Sequence, residues 1–239
     1  MWYLLMSMRL TPHRFFAANP TGVDWVCGDL HGEFKALQAA LSDAGFNKVV
    51  DRLFLLGDTI DRGPDSRALL EWVLTTDWVH SVMGNHELMF VAGAEDNRNR
   101  YKHRGMGGDW AASLDETSYK NLAIQCRYQL PLTMTLECEN GQLGLVHAQS
   151  PFDDWRTVQE TPFSERFAIE CTWPWNRAQG KNQTISGITA VVSGHIGTAE
   201  VIQRGNQVWI DVLARTGQVP LMPVHRVLER VVAYPSDHQ

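Results

Sequence analysis

The chain has 239 residues, a formal net charge of −6 and 44% apolar residues. This composition is typical of a folded globular protein and excludes intrinsic disorder. No apolar run approaches the ~18–20 residues of a membrane-spanning helix, and the acidic balance offers no broad basic surface for nucleic acid.

The N-terminal residues and the cysteines bear on where the protein works. Residues 1–10 begin with a short apolar stretch but lack the charged start and the cleavage site of a secretory signal. The four cysteines are scattered and form no CxxC pair, which argues against a disulfide framework or a zinc ribbon. We therefore expect a cytoplasmic monomer with reduced, mostly buried cysteines and no membrane or nucleic-acid partner.

The first half of the chain alternates predicted strands and helices. Strands are expected at 23–27, 52–56 and 78–83, and helices at 32–44, 66–74 and from 87 onward. The apolar run at 52–56 fits a strand that is buried on both faces. This alternation predicts an α/β layered fold with helices packed on a sheet.

The second half has a different character. Residues 95–130 are expected to be helical with loops and include the Gly-rich segment 104–110. Strand-like runs follow at 132–138, 142–147, 190–193, 200–203, 207–211 and 219–228. The Trp- and Pro-rich connection 148–187 is long, and its aromatic residues favour an ordered lid or wall. Because there is no repeat and no evident linker, we expect one domain over residues 1–239.

Five short segments place metal-binding side chains directly after predicted strands. They are GDLHG at 28–32, GDTIDRG at 57–63, GNHE at 84–87, His147 and His195. Any one of them alone is more often a turn or a helix cap than a ligand. In an open α/β sheet, however, binding sites collect outside the carboxyl ends of the strands, so all five can converge on one place.

The types of donor indicate the class of metal. Asp, His and Asn side chains without a thiolate favour Mn, Fe or Zn over a structural zinc site. Six donors exceed the needs of one tetrahedral ion but suit two ions that share a carboxylate, for which Asp58 is the natural candidate. Two ions ~3.5–4 Å apart hold an activated water and clamp the oxygens of a phosphoryl group.

The order GDxHG, GDxxDRG, GNHE, His and GH resembles the calcineurin-like metallophosphoesterases. Within them it resembles the phosphoprotein phosphatases, specifically the small bacterial and phage-lambda-type Ser/Thr phosphatases. The resemblance extends over about residues 23–225 and includes GGDW at 107–110, WNR at 175–177 and GNQVWID at 205–211. It implies a layered α/β sandwich of mixed β-sheets flanked by helices, with a dinuclear metal site at the C-terminal ends of strands.

The resemblance also implies a role for each motif residue. Asp29 and His31 would bind the first ion, Asp58 would bridge, and Asn85, His147 and His195 would bind the second. The two ions would be Mn²⁺, with Fe or Zn as alternatives.

The catalytic roles carry over in the same way. Arg62, Arg177 and Asn85 would contact the phosphate of the substrate. His86 would protonate the leaving alkoxide, and Asp61 would hold its imidazole and raise its pKa. The nucleophile would be a metal-bridging hydroxide, so no covalent phosphoenzyme is expected.

The expected activity is hydrolysis of phosphoserine and phosphothreonine in phosphorylated protein substrates. The alternative is a symmetrical dinucleoside-tetraphosphate hydrolase, a class that tends to carry Ala in place of Asp61 and GNHD in place of GNHE. A catalytically silent binding module and a DNA phosphodiesterase are less favoured, because the acid pair is present and no basic stripe exists.

Some residues near the motifs stay without a firm assignment. Glu87 is interpreted as a helix-start residue that complements the helix dipole. Asp109 and Trp110 either line the cleft or cap and pack a helix, and His103 has no predicted role. Met83 stands where the family usually has arginine.

Overall fold

The computed structural model describes residues 9–180 and 183–233, which form two β-sheets with helices around them. The strands are β1 (His13–Phe16), β2 (Asp24–Cys27), β3 (Arg52–Leu55), β4 (Val79–Ser81), β5 (Thr133–Cys138), β6 (Gly141–Val146), β7 (Ala190–Ser193), β8 (Ile202–Arg204), β9 (Gln207–Trp209) and β10 (Leu221–Pro223). The helices are α1 (Phe34–Asp43), α2 (Ser66–Thr75), α3 (Asn85–Gly93), α4 (Asn97–Gly105), α5 (Glu116–Gln129), α6 (Trp155–Glu160), α7 (Glu165–Thr172), α8 (Asn176–Gln179), α9 (Leu213–Thr216) and α10 (Val224–Ala233). A 3₁₀ helix lies at Gly108–Ser113.

Both sheets are mixed. The smaller sheet has the order β10-β2-β3-β4, in which β2, β3 and β4 are parallel and β10 is antiparallel to β2. The larger sheet has the order β1-β5-β6-β7-β9-β8 and contains parallel pairs at β1–β5, β6–β7 and β7–β9. The expected α/β sandwich of mixed sheets is therefore confirmed.

The core between the sheets follows from the alternation of side chains along each strand. Phe54 and Leu56 at the end of β3 pack with Met134 of β5 and Val192 of β7, between the two sheets. The intervening Leu55 packs on the other side, in the core that contains α1 and α2. The run 52–56 is thus buried on both faces, as its sequence predicts.

The strand directions bring the motif segments to one place. Because β2, β3 and β4 are parallel, the segments that follow them leave the smaller sheet at the same edge. The segments after β6 and β7 leave the larger sheet together for the same reason. The ring of His147 bonds through Nδ1 to the carbonyl oxygen of Leu56 at 2.7 Å, which ties the two edges to each other.

One sequence-based expectation for secondary structure is wrong, and one strand had no counterpart among the expectations. The run 219–228 is a strand only at Leu221–Pro223 and continues as α10. Val224, Val227 and Leu228 are buried at the spacing of one helical face, and Pro223 fits the position just before a helix. The sequence also gave no sign of β1, which pairs with β5 in parallel across more than a hundred residues.

The described part of the connection 148–187 forms three helices, α6, α7 and α8. Trp155 of α6 is completely buried against the larger sheet. Most of the N-terminal stretch interpreted for targeting, residues 1–8, lies outside the described residues. Among the described helices, none is long and apolar enough to cross a membrane.

The packing of Trp155 on β6 generates a stability prediction. A Cβ on Gly144 would lie 2.5 Å from the indole of Trp155, so Gly144→Ala should destabilise the protein by about 1–3 kcal/mol. That change lowers Tm by roughly 3–10 °C in a chain of this size. The matched control is Gly105→Ala. A Cβ at Gly105 has no other atom within 4 Å, so Tm should be unchanged or higher in this variant. Equal Tm values for the two variants would contradict the packing account.

Candidate active site

The strand-end turns have an unusual backbone. Among the described residues, the non-glycine residues with positive φ are His31, Asp58, Asp61, Arg62 and His195, at 44°, 47°, 75°, 68° and 68°. Every one of them belongs to the predicted site. Left-handed backbone at a non-glycine residue costs of order 1–3 kcal/mol and persists where surrounding contacts over-determine it, typically at functional sites.

Glycines let two of these turns touch. A Cβ on Gly84 would overlap the backbone nitrogen and the carboxylate of Asp58. Gly57 has a φ of 88°, and a Cβ there would lie 2.6 Å from the backbone of Gly84. The turns after β3 and β4 therefore pass backbone against backbone, a contact that only glycine permits.

Glu87 holds these two turns together. Its carboxylate is completely buried and accepts hydrogen bonds from the backbone N–H groups of Asp58, Thr59 and Gly84 at 2.9, 2.7 and 3.0 Å, and from the Thr59 hydroxyl at 2.7 Å. Burial and the Asp58 charge raise the pKa of Glu87 to about 7, against the hydrogen bonds from Thr59. Glu87 does begin a helix, as predicted, but its larger role is to brace the turn that carries Asp58.

Three histidines point one ring nitrogen at a backbone carbonyl. His31 Nδ1 is 3.0 Å from the oxygen of Ile60, His147 Nδ1 is 2.7 Å from that of Leu56, and His195 Nε2 is 3.0 Å from that of Trp173. A carbonyl oxygen can only accept, so each of these nitrogens carries the hydrogen. The opposite nitrogen of each ring is left with a lone pair, which is the arrangement of metal-binding histidines.

The remaining donors meet around Asp58. His31 Nε2 and His147 Nε2 lie 3.8 and 3.5 Å from the Asp58 carboxylate. His147 Nε2 is also 2.9 Å from Asn85 Oδ1 and 3.1 Å from His195 Nδ1. Two lone-pair nitrogens this close have no hydrogen to share, so a cation between them is the natural partner. Asp58 belongs both to a group with His31 and His86 and to a group with His147 and His195, which fits two divalent ions that share one carboxylate.

Asp29, in the segment that follows β2 of the smaller sheet, completes the cluster. Its Oδ1 accepts from the backbone N–H of His195 at 2.9 Å and lies 3.9 Å from His147 Nδ1. All six predicted ligands are thus brought together, although their individual roles stay predictions.

The charges of the cluster are unbalanced without cations. Burial lowers the pKa of His147 to about 4 and lowers those of His31 and His195, so these rings are neutral at neutral pH. Burial and the charges of Asp211 and Asp58 raise the pKa of Asp29 well above its usual value. Burial would raise the pKa of Asp58 too, but the nearby His147 and His86 outweigh it and lower that pKa. Neutral imidazoles beside crowded carboxylates are what a divalent cation stabilises.

Asp211 is a further carboxylate at this centre, one that the sequence analysis did not assign. It is 4% exposed, and its Oδ1 has no hydrogen-bond partner among the described residues. Burial and the Asp58 charge raise its pKa to about 6.

The two residues that the sequence analysis paired as acid and orienting carboxylate, His86 and Asp61, are in contact. His86 Nδ1 lies 2.6 Å from Asp61 Oδ2, and both side chains are buried. Burial disfavours the charged imidazole, but the charge of Asp58 and the hydrogen bond to Asp61 outweigh it and raise the pKa of His86. The guanidinium of Arg62 lies 2.8 Å from His31 Nε2 and 3.0 Å from His86 Nε2, so Arg62 is within reach of a phosphate bound at the cluster.

Arg177 is placed differently from the other predicted site residues. Its guanidinium donates to Asp153 at 2.6 Å and to Gln183 at 2.9 Å, and no described hydrogen bond joins it to the metal cluster. Its contact with phosphate stays a prediction.

Two residues that contact Asp61 were missed or left open by the sequence analysis. His103 Nε2 lies 3.0 and 2.9 Å from the two Asp61 oxygens, and Trp110 Nε1 donates to Oδ1 at 2.7 Å. They are 42 and 49 residues from Asp61 along the chain, so no local spacing could have linked them. The one available signal was the pair Gly107-Gly108 between them.

The contacts of Glu87 predict the effect of its amide variant. Glu87→Gln replaces one acceptor oxygen by an NH₂ that faces N–H donors, which should destabilise the protein by about 2–3 kcal/mol. The measurement is urea unfolding of the metal-free protein. Glu71→Gln on the exposed face of α2 is the matched control, since its ion pair with Arg67 at 2.8 Å contributes about 0.5 kcal/mol or less. Equal losses in the two variants would remove the bracing role from Glu87.

The donor set predicts stabilisation by metal. Mn²⁺ added to chelator-stripped protein at a hundredfold excess over its Kd should stabilise it by about 2.7 kcal/mol, because the ion binds the folded state. That corresponds to roughly 5–10 °C in Tm. Asp58→Asn should remove most of the shift, whereas Asp109→Asn on an exposed carboxylate should keep it. A full shift in Asp58→Asn would contradict the shared-ligand assignment.

Comparisons with known proteins agree with this geometry. Residues 25–199 match the calcineurin-like phosphoesterase family. The chain is 31% identical over 194 residues to serine/threonine-protein phosphatase 2 of Escherichia coli strain K12, covering 78% of this chain and 85% of that protein. It is 33% identical over 135 residues to a symmetrical bis(5'-nucleosyl)-tetraphosphatase of Acidovorax sp. strain JS42, covering 56% of this chain and 46% of that protein.

A solved structure shares the fold. A protein serine/threonine phosphatase from Saccharomyces cerevisiae superposes with a TM-score of 0.59 at 16% identity, covering 84% of this chain and 70% of that one. Together with the match over residues 25–199, these findings show that the chain belongs to the calcineurin-like phosphoesterase family.

Proposed function

We propose that this phosphoesterase hydrolyses phosphoserine and phosphothreonine in proteins. The observation that carries the proposal is the buried pair of Asp61 and His86, with 2.6 Å between Oδ2 and Nδ1. The name of the Escherichia coli relative, a serine/threonine-protein phosphatase 31% identical to this chain, supports the same substrate class.

The acid pair discriminates between substrates through the leaving group. A serine alkoxide is strongly basic and leaves only if it receives a proton, so a positioned acid contributes ~10²–10⁴ in rate. A nucleoside polyphosphate leaves as a weakly basic phosphate anion and needs no such acid. A buried, oriented histidine therefore favours an alkyl phosphate ester over a dinucleoside tetraphosphate.

The chain's own residues perform the steps around the ester. Arg62 offers a planar guanidinium to the phosphate oxygens, and it lies 3.0 Å from His86 Nε2. When the P–O bond breaks, its electron pair stays on the serine oxygen, which takes the proton from His86 Nε2. A water molecule supplies the oxygen that enters the phosphate, so the products are inorganic phosphate and the free hydroxyl. Asp61 keeps the hydrogen of His86 on Nδ1 and stabilises the charged ring beforehand.

The metal site completes this arrangement. We propose that Asp29, His31 and Asp58 hold one divalent ion and that Asp58, Asn85, His147 and His195 hold the other. The bound ions would supply Lewis acidity for the phosphoryl group and lower the pKa of water. Manganese is the proposed metal, because the donor set of imidazole, carboxylate and amide oxygen suits it. We propose that the protein works in the cytoplasm, which its free cysteines support, and that it is a single-domain monomer.

A symmetrical dinucleoside tetraphosphatase is the second candidate. The relative from Acidovorax carries that name and matches 56% of this chain. Trp175 is 52% exposed, and its ring centroid lies 6.2 Å from that of His195. This indole offers a stacking surface for a nucleobase beside the metal cluster.

The first test compares the two substrate classes directly. Chelator-stripped protein is assayed with and without Mn²⁺ on a phosphoserine peptide and on diadenosine tetraphosphate. We expect Mn²⁺-dependent phosphate release from the peptide at a kcat/KM at least about tenfold above that for the dinucleotide. Preferential cleavage of the dinucleotide would replace the proposed function by the second candidate.

The second test concerns the acid role of His86. His86→Asn should lower kcat on the phosphoserine peptide by ~10²–10⁴ but leave 4-nitrophenyl phosphate nearly unaffected, because nitrophenolate leaves without a proton. His80→Asn is the control, since His80 packs on Phe16 and Phe54 away from the motif segments. Equal losses of His86→Asn on both substrates would remove it from the acid role.

A further inference from the structure

The carboxylate of Asp61 has more partners than the acid pair requires. Besides His86 Nδ1 on Oδ2, it contacts His103 Nε2 through both oxygens and accepts from Trp110 Nε1 on Oδ1. Three N–H donors from three separate elements thus surround one carboxylate that is completely buried. Burial would raise the pKa of Asp61, but the hydrogen bonds from His103 and His86 outweigh it and lower that pKa.

The contact with Asp61 is what accounts for a histidine at position 103. It is completely buried, and its Nδ1 has no hydrogen-bond partner among the described residues. An unpaired polar atom in the core is unfavourable by about 1–3 kcal/mol. A leucine would fill such a site without that penalty, so what distinguishes histidine here is its Nε2 contact with Asp61.

The backbone of the Gly-rich segment 104–110 places the N–H donors of His103 and Trp110 next to Asp61. Gly107 has a φ of 107°, and its carbonyl oxygen accepts from the backbone N–H of Arg62 at 3.1 Å. Gly108 lies flat against the His103 ring, because a Cβ there would overlap three of the ring atoms. Trp110 follows two residues later and stacks on Phe90 with its ring centroid at 5.3 Å. The two glycines therefore bring the turn that carries Asp61 and the two donors into contact.

We propose that His103 and Trp110 are positioning residues that hold the Asp61 carboxylate against the ring of His86, so that His86 presents its Nε2 proton to the leaving oxygen. The backbone of Asp61 is left-handed, with a φ of 75°, and its N–H donates to Ser66 Oγ at 2.9 Å, so its side chain is held by contacts from outside its own turn. With Oδ1 occupied by Trp110 and both oxygens bridged by His103, the carboxylate can turn only one lone pair toward His86. This inference rests on the acid role of His86 in the proposed function.

The consequence is a dependence on the leaving group. Phenyl phosphate releases a more basic anion than 4-nitrophenyl phosphate, so it depends more on a well-oriented acid. Trp110→Phe removes one N–H and keeps the aromatic packing, and it should lower kcat on phenyl phosphate about tenfold. On 4-nitrophenyl phosphate the same variant should stay within about twofold of the parent. KM should be unchanged on both substrates, since neither Trp110 nor His103 is a proposed phosphate-binding residue.

Control variants separate positioning from folding. Trp25→Phe is the matched control, because the Nε1 of Trp25 has no hydrogen-bond partner among the described residues, and its activity ratio between the two substrates should equal that of the parent. His103→Leu should reduce kcat on phenyl phosphate by about 10–100-fold, and His103→Gln, which keeps an N–H donor, should restore most of it. All assays use the Mn²⁺-loaded full chain.

The decisive experiment combines Trp110→Phe with His86→Asn. If Trp110 acts through His86, adding Trp110→Phe to His86→Asn lowers kcat no further on phenyl phosphate. A further loss of kcat in the double variant would overturn the inference. So would an equal loss of kcat on both aryl esters in Trp110→Phe, or a His86→Asn variant that loses the same kcat on both esters. Failure of the proposed function looks different: the phosphoserine peptide is not cleaved, while the two aryl esters still show the predicted pattern.

Discussion

Burying several carboxylates where two sheets meet is unfavourable unless each is paired with hydrogen-bond donors or cations. The local structure supplies such partners around Asp58. Its backbone N–H is held by Glu87, and its carboxylate lies within 3.8 Å of His31, His86 and His147. The close contact of Gly57 with Gly84 exists because the turn that carries Asp58 must pass directly over the start of α3. The strain of the left-handed turns is therefore local to the site and is offset by hydrogen bonds and by the cations that the donors are arranged to bind.

One short turn carries residues of both proposed roles. Asp58 lies 3.5 Å from His147, a proposed metal ligand, whereas Asp61, three residues later, contacts His86, the proposed acid, at 2.6 Å. His86 joins the two, because its backbone N–H donates to Asp58 at 3.0 Å and its ring bonds to Asp61 at 2.6 Å. A displacement of this turn would therefore move the proposed metal ligand and the proposed acid together. The turn is held on one side by Glu87 and on the other by His103 and Trp110.

The sequence was informative wherever function imposes a local pattern. Ligand types directly after apolar strands predicted that Asp29, Asp58 and Asn85 would meet, because the parallel strands β2, β3 and β4 end at one edge of the smaller sheet. Contacts between residues far apart in the chain produce no such local pattern. For example, β1 pairs with β5 across more than a hundred residues, and His103 contacts Asp61 across 42 residues. The error at 219–228 has another cause. The apolar residues of this run fit the spacing of a strand as well as that of a helix. Pro223 marks the change from strand to helix within the run.

The central claim is that two ions share Asp58 and that His86 stands beside them as the proton donor. Crystals of the protein grown with Mn²⁺ and phosphate, measured at the manganese absorption edge, test it most directly. We expect two anomalous peaks ~3.5–4 Å apart, one beside Asp29 and His31, the other beside Asn85, His147 and His195, with Asp58 between them. Arg62 and His86 Nε2 should contact the phosphate. A single peak, or two peaks that do not share Asp58, would contradict the account.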